Sequence, residues 1–176
     1  MTTTILVADD HPIFRDGLVK SLEENGTFTV TGVASSAMEA IDLAAKLKPD
    51  IALLDLSMPG GGLSAVAQIA SLNHAQHIAM LTVSEDGENV AEALRLGAKA
   101  YILKGVSAQE LRDILSDVAK GETHVAPSLA AKILAFMRQQ QSETSPLDDL
   151  TKREEDILRY VSIGQTNKEV ADALGL

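Results

Sequence analysis

Five short apolar runs constrain the fold of this chain more than any other feature: Ile5–Ala8, Phe28–Ala34, Ile51–Leu54, Ile78–Thr82 and Ala100–Leu103. Runs of this length, rich in Val, Ile, Leu and Ala, are what strands covered on both faces look like. The segments between them repeat at helical spacing. Pro12 stands where a first-turn proline is tolerated, and Phe14, Leu18 and Leu22 follow at a four-residue interval. Ser107 and Glu110 form a capping-box pattern ahead of Leu111, Ile114, Leu115 and Val118, and Gly121 closes that helix as Gly97 closes the one before it. Five βα units in succession predict an α/β fold, a doubly wound five-stranded parallel sheet with helices on both faces.

Beyond Gly121 the pattern changes. Pro127–Met137 predicts a connecting helix with Leu129, Ile133, Leu134 and Met137 on one side. Gln139–Pro146 is polar and lacks apolar periodicity, which predicts a flexible linker. Two further capping boxes, Thr151 with Glu154 and Thr166 with Glu169, flank Gly164 and predict two short helices. The expected division is therefore 1–122 for the α/β domain, 123–147 for connecting helix and linker, and 148–176 for a small all-α segment.

Composition narrows the function classes. With no Cys, disulfide frameworks and thiolate metal sites are excluded, and with no Trp and 3% aromatics the core must be aliphatic. The first residues have no basic segment and reach Asp9 and Asp10 after a short apolar run, unlike a secretory signal; no apolar stretch has the length of a membrane span. A cytoplasmic location is the expectation. The net charge is −10, and it is uneven: residues 1–126 carry nine basic and 17 acidic side chains, residues 127–176 six and eight. The acid belongs to the α/β part, as suits an anionic metal site.

In a doubly wound sheet, functional groups collect at the carboxyl ends of the strands. Those ends carry Asp9 and Asp10, then Asp55, then Thr82 and Ser84, then Lys104. Three carboxylates in one crevice repel one another unless a cation lies between them. Oxygen ligands without His or Cys favour Mg²⁺. A lysine among them steadies a transferred anion and a threonine hydroxyl donates to it, which predicts a phosphoryl-transfer site with a carboxylate as nucleophile. Taken singly, each acid reads equally well as a helix N-terminal charge; their recurrence at successive strand ends weighs against that. Around them, His11 is expected to cap the first helix or face solvent. Gly60-Gly61-Gly62 reads as a mobile turn, because no Lys-Ser or Lys-Thr follows to make a phosphate loop. His74, His77 and His124 have no ligand spacing.

The segments ILVADDHPIFRDGL, DIALLDLSMPG, IAMLTVSED and GAKAYILKG, in that order from residue 5 to about 120, resemble the receiver domains of bacterial two-component response regulators. The His-Pro after the acidic pair, with Phe14, Arg15, Gly17 and Leu18, is similar to the LuxR/NarL (FixJ) type. LTKREEDILRYVSIGQTNKEVADALGL resembles the opening of that group's helix-turn-helix domain. The resemblance implies a CheY-like strand order 2-1-3-4-5 and assigns roles by position. Asp55 would be the phosphoacceptor and Asp10 a direct Mg²⁺ ligand, with Asp9 acting through metal-bound water and the Ser57 backbone carbonyl completing the protein ligands. Lys104 would pair with the phosphoryl group, Thr82 would hydrogen-bond to it, and Tyr101 would be the aromatic switch that turns inward behind Thr82.

The implied function is transcriptional control. A sensor histidine kinase phosphorylates Asp55, the face of the fourth helix, fifth strand and fifth helix responds, and the receiver homodimerises or releases its DNA-binding domain. Such a chain is not a turnover enzyme, but a phosphoacceptor that catalyses its own phosphorylation and dephosphorylation. Two alternatives stand beside it: a free-standing phosphotransfer or phosphatase enzyme, and a phosphorylation-independent interaction module. Residue 105 is Gly where much of the family has Pro, which leaves the geometry of the peptide after Lys104 open. The sequence closes at Leu176, within or just after the second helix of the DNA-binding unit. The helix that would enter the major groove is then absent, operator binding is not expected of this chain, and Lys152, Arg153, Arg159 and Lys168 receive no DNA-contact role.

Overall fold

The structure is a computed structural model and describes residues 2–143. The chain divides into two units, Met1–Leu134 and Ala135–Leu176; the architecture below is that of the first. Five βα units run β1 (Thr3–Ala8), α1 (Pro12–Glu23), β2 (Phe28–Ala34), α2 (Ala37–Leu47), β3 (Ile51–Leu54), α3 (Gly62–Ser71), β4 (His77–Thr82), α4 (Gly87–Arg95), β5 (Ala100–Leu103) and α5 (Ala108–Ala119). They are followed by β6 (His124–Val125) and α6 (Pro127–Glu143). All strand pairings are parallel, in the order β2-β1-β3-β4-β5-β6.

Side-chain alternation along each strand sorts the interior into two layers. Leu6, Ala8, Ala52, Leu54, Ile78, Met80 and Tyr101 face one layer with the buried residues of α2, α3 and α4. Ile5, Val7, Ile51, Leu53, Ala79, Leu81, Ala100 and Ile102 face the other with those of α1 and α5. The helix starts follow local chemistry. Ser107 Oγ accepts the Glu110 N–H at 3.2 Å, as the capping box predicts, and Asp86 Oδ1 accepts the Glu88 N–H at 3.0 Å at the start of α4. Gly97 and Gly121 follow α4 and α5 with φ of 111° and 92°, the left-handed turn that ends a helix.

Two expectations need correction. The sheet has six strands, not five, because His124–Val125 pairs with Ala100–Tyr101 and covers the outer edge of β5. A two-residue strand has no period to betray it. Helix α6 also runs on through Gln139–Glu143, where a linker was expected. Gln, Ser and Glu lack an apolar stripe but none of them breaks a helix, and no Gly or Pro intervenes. The expected helices around Thr151 and Thr166 lie outside the described residues.

Candidate phosphoacceptor site

Strand register brings the site together. The Asp55 N–H donates to the Ala8 carbonyl at 2.8 Å, so β1 and β3 end level and Asp9 and Asp55 stand side by side. The Lys104 N–H donates to the Thr82 carbonyl at 2.8 Å and aligns the ends of β5 and β4 in the same way. From there the Lys104 side chain reaches across, its Nζ 2.7 Å from Asp9 Oδ2 and 3.0 Å from Asp55 Oδ1. Both carboxylates are only 2% exposed. Burial would lower the Lys104 pKa, but the two carboxylates outweigh it and hold the ammonium above its usual value. The Phe14 ring lies under the same ammonium, 4.7 Å from centroid to Nζ, a cation–π contact.

The carboxylates are oriented by backbone and neighbours. The His11 N–H donates to Asp9 Oδ1 at 2.8 Å, and the Ser57 N–H donates to Asp55 Oδ2 at 3.2 Å. Arg15 fixes the turn between β1 and α1, its Nη1 donating to the Asp9 carbonyl at 2.7 Å. His11 does not cap α1 with its side chain. Its Nδ1 instead lies 3.0 Å from Asp10 Oδ1 and 3.3 Å from Asp9 Oδ1, with the ring otherwise largely exposed.

Asp9, Asp10, His11 and Asp55 offer ligand atoms that all lie within 4.8 Å of one another. Asp10 Oδ1 is shielded from solvent yet accepts no hydrogen bond. Its near neighbour is the His11 ring nitrogen, and three carboxylates gathered this closely, two of them buried, are a donor set that fits a small hard divalent cation.

The loop from Leu56 to Gly61, between β3 and α3, is wound tightly around Asp55. The Gly61 N–H donates to Met58 O and the Gly62 N–H to Leu56 O, both at 2.9 Å. Gly60 and Gly61 have φ of 89° and 82°. A Cβ at residue 62 would fall onto the Asp55 carbonyl oxygen and 2.7 Å from Leu56 Cα. The triple glycine is thus specified by backbone geometry, beyond the loose turn read from the sequence.

On the opposite side, Thr82 is fully buried and its Oγ1 accepts the Ser84 N–H at 3.1 Å. Tyr101 is also fully buried, and its hydroxyl donates to the Ser84 carbonyl at 3.2 Å. The ring therefore stands inward in this structure. Burial raises its phenol pKa, and the Ser84 bond offsets part of that. Val83 projects outward on the rim. Among the described residues no peptide bond is cis, so the Lys104–Gly105 bond is trans.

Sequence reasoning placed Asp9, Asp10, Asp55, Ser57, Thr82, Tyr101 and Lys104 at the site, and the structure brings them to one end of the sheet. It missed Phe14 as a partner of Lys104, Arg15 as the clamp on the Asp9 carbonyl, and Ser84 as the link between Thr82 and Tyr101. All three lie inside the quoted segments, but their roles depend on side-chain directions that spacing does not give. A nucleophilic carboxylate, a fixed ammonium, a hydroxyl and an acidic cation niche together can stabilise a phosphoryl group passing onto Asp55.

Comparison with known proteins agrees. Residues 5–116 match the family described as "Response regulator receiver domain", and residues 148–176 match "Bacterial regulatory proteins, luxR family". The chain is 35% identical over 175 residues to the nitrate/nitrite response regulator protein NarL of Escherichia coli, covering 98% of this chain and 81% of that protein. It is 36% identical over 171 residues to the transcriptional regulatory protein LiaR of Bacillus subtilis, covering 97% and 81%. Among solved structures, the signal receiver domain of the response regulator NarL from Mycobacterium tuberculosis superposes with a TM-score of 0.66 at 32% identity, covering 69% of this chain and 98% of that one. The chain belongs to the two-component response regulators, combining a receiver domain with a LuxR-type DNA-binding domain.

Proposed function

We propose that Asp55 is the phosphoacceptor and that a sensor histidine kinase is the donor. One Asp55 oxygen attacks phosphorus, an O–P bond forms as the N–P bond to the donor imidazole breaks, and an acyl phosphate remains on Asp55. The nucleophile is already a carboxylate, so no proton has to be removed. The observation that carries this reading is the contact of Lys104 Nζ with both Asp9 and Asp55 at a buried strand end. Lys104 is placed to follow the charge onto the phosphoryl group, and the Thr82 hydroxyl to donate to it. Asp9, Asp10, Asp55 and the Ser57 carbonyl would hold Mg²⁺, which when bound neutralises charge on the phosphoryl oxygens. The same groups would serve self-catalysed phosphorylation and dephosphorylation.

Phosphorylation then shifts a receiver equilibrium through Thr82 and Tyr101, with homodimerisation and release of the DNA-binding domain as outputs in the cytoplasm. The division proposed is 1–122 for the five βα units of the receiver, 123–147 for a connection whose β6 and Leu129 complete the receiver sheet and core, and 148–176 for the LuxR-type domain. A turnover enzyme is disfavoured by the surroundings. The groove of about 310 Å³ next to Lys104 is lined largely by Ile13, Phe14, Leu18, Val106 and Leu111, which suits a protein surface better than a small anionic substrate. The test is acyl-phosphate labelling by a phosphodonor with Mg²⁺: labelling of wild type and none of Asp55→Asn is expected, and equal labelling refutes the assignment.

A further inference from the structure

The loop between β4 and α4 has two sets of contacts. Facing the site, the Ser84 N–H donates to Thr82 Oγ1 and the Ser84 carbonyl accepts from Tyr101. Facing away, Glu85 Oε2 pairs with Lys132 Nζ of α6 at 2.5 Å. Two residues on, at the first residue of α4, the backbones of α6 and α4 come unusually close. A Cβ at Gly87 would lie 2.8 Å from the Lys132 carbonyl oxygen and 3.0 Å from its carbon. The first turns of α6 are not loosely attached. Leu129 is completely buried in the layer that contains Tyr101, and Ile133 packs against that layer.

We propose that the first two turns of α6 are a docked strap that senses the β4–α4 loop, and that its docking opposes phosphorylation. The inference rests on reading Asp55 as the phosphoacceptor. The Thr82 hydroxyl donates to a phosphoryl group on Asp55, and moving toward it carries Oγ1 away from the Ser84 N–H that it accepts here. Once Thr82 turns toward the phosphate, Ser84 loses that anchor and the loop carrying Glu85 and Gly87 is free to shift. The docked strap fits only the unshifted loop, because at Gly87 the α6 backbone has no room to follow. Undocking would pass the signal into the helix that leads toward the DNA-binding segment. The Glu85–Lys132 pair is about half exposed at both ends, so it trims the register while backbone packing at Gly87 carries most of the coupling.

Coupling is reciprocal: what the phosphorylated state does to docking, docking must do to the affinity for a phosphoryl mimic. The experiment is calorimetric titration of the full chain with beryllofluoride in saturating Mg²⁺. Wild type binds and Asp55→Asn does not. Gly87→Ala, which props α6 away, is expected to bind about five-fold more tightly. Lys132→Glu is expected to bind roughly two-fold more tightly, and Glu85→Lys combined with Lys132→Glu to return to the wild-type affinity. A merely structural role would weaken binding or leave it alone, so tighter binding is the discriminating sign. If Gly87→Ala fails to fold, the exposed Lys132→Glu and its charge-swapped partner decide. Wild-type or weaker affinity in the folded variants overturns the strap while leaving Asp55 intact. No binding by wild type itself overturns both.

Discussion

Replacing Lys104 by Met tests the electrostatics of the site directly. Met keeps most of the stem that packs by Phe14 and removes the charge that touches Asp9 and Asp55. Two carboxylates that are each 2% exposed then lose their shared cation. Breaking a buried ion pair by deleting one partner costs about 3–5 kcal/mol. The backbone N–H groups of His11 and Ser57 still serve these carboxylates, which places the expectation near the lower end, about 3 kcal/mol. That is a large fraction of the roughly 5–15 kcal/mol that holds a typical domain together, and corresponds to a fall in Tm of about 10 °C. Urea denaturation followed by far-ultraviolet circular dichroism, in EDTA and again in saturating Mg²⁺, measures it. A divalent cation substitutes for the missing ammonium, so Mg²⁺ should stabilise Lys104→Met more than wild type. A loss below about 1 kcal/mol in EDTA, or an equal Mg²⁺ effect on both proteins, would refute the picture of a lysine serving as resident counter-ion.

Other outcomes follow from the same geometry. Gly62→Ala must displace backbone, since its Cβ meets the Asp55 carbonyl, and should cost about 1–3 kcal/mol and slow Asp55 labelling; Gly61→Ala, with open space around it, pays only the left-handed conformation, about 1–2 kcal/mol. Thermal melts of the two variants, with labelling time courses, would rank them. Alkaline pH should destabilise the fold. The raised Lys104 pKa means that its contribution is complete below the usual 10.5 and lost as pH climbs through the folded value. Tyr101 acts in the same direction, because burial favours the neutral phenol while the unfolded one ionises from the usual 10.0 upward. Urea midpoints from about pH 8 to 12 should be flat and then fall, with a shallower fall in Lys104→Met.

The sequence was most informative where one periodicity ruled. The strands Phe28–Ala34, Ile51–Leu54 and Ala100–Leu103 are found at the expected bounds, and β1 and β4 begin one or two residues earlier than their apolar runs. Residues at strand ends were legible because topology alone fixes where such ends gather. Less legible was anything set by side-chain direction. His11 was expected to cap α1 or face solvent; it stands at the N-cap position with a largely exposed ring, yet that ring turns back onto two carboxylates that no spacing rule includes. Arg112 on α5 gave no sign of being buried, and its guanidinium donates to the Ser21 carbonyl of α1 at 2.7 Å and to Glu24 at 3.2 Å. Tyr101 was placed as a switch, but its ring direction is set by the buried hydroxyl bond to the Ser84 carbonyl, which no spacing reveals.

The short β6 strand has a consequence out of proportion to its two residues. Open sheets invite neighbours to extend them, and β5 would be such an invitation on a chain ending at Glu122. His124 and Val125 answer it from within the molecule, and Leu129 then seals the apolar layer behind them. A receiver excised at that point would be expected to pair with its own copies, and to mimic a dimer that owes nothing to phosphate.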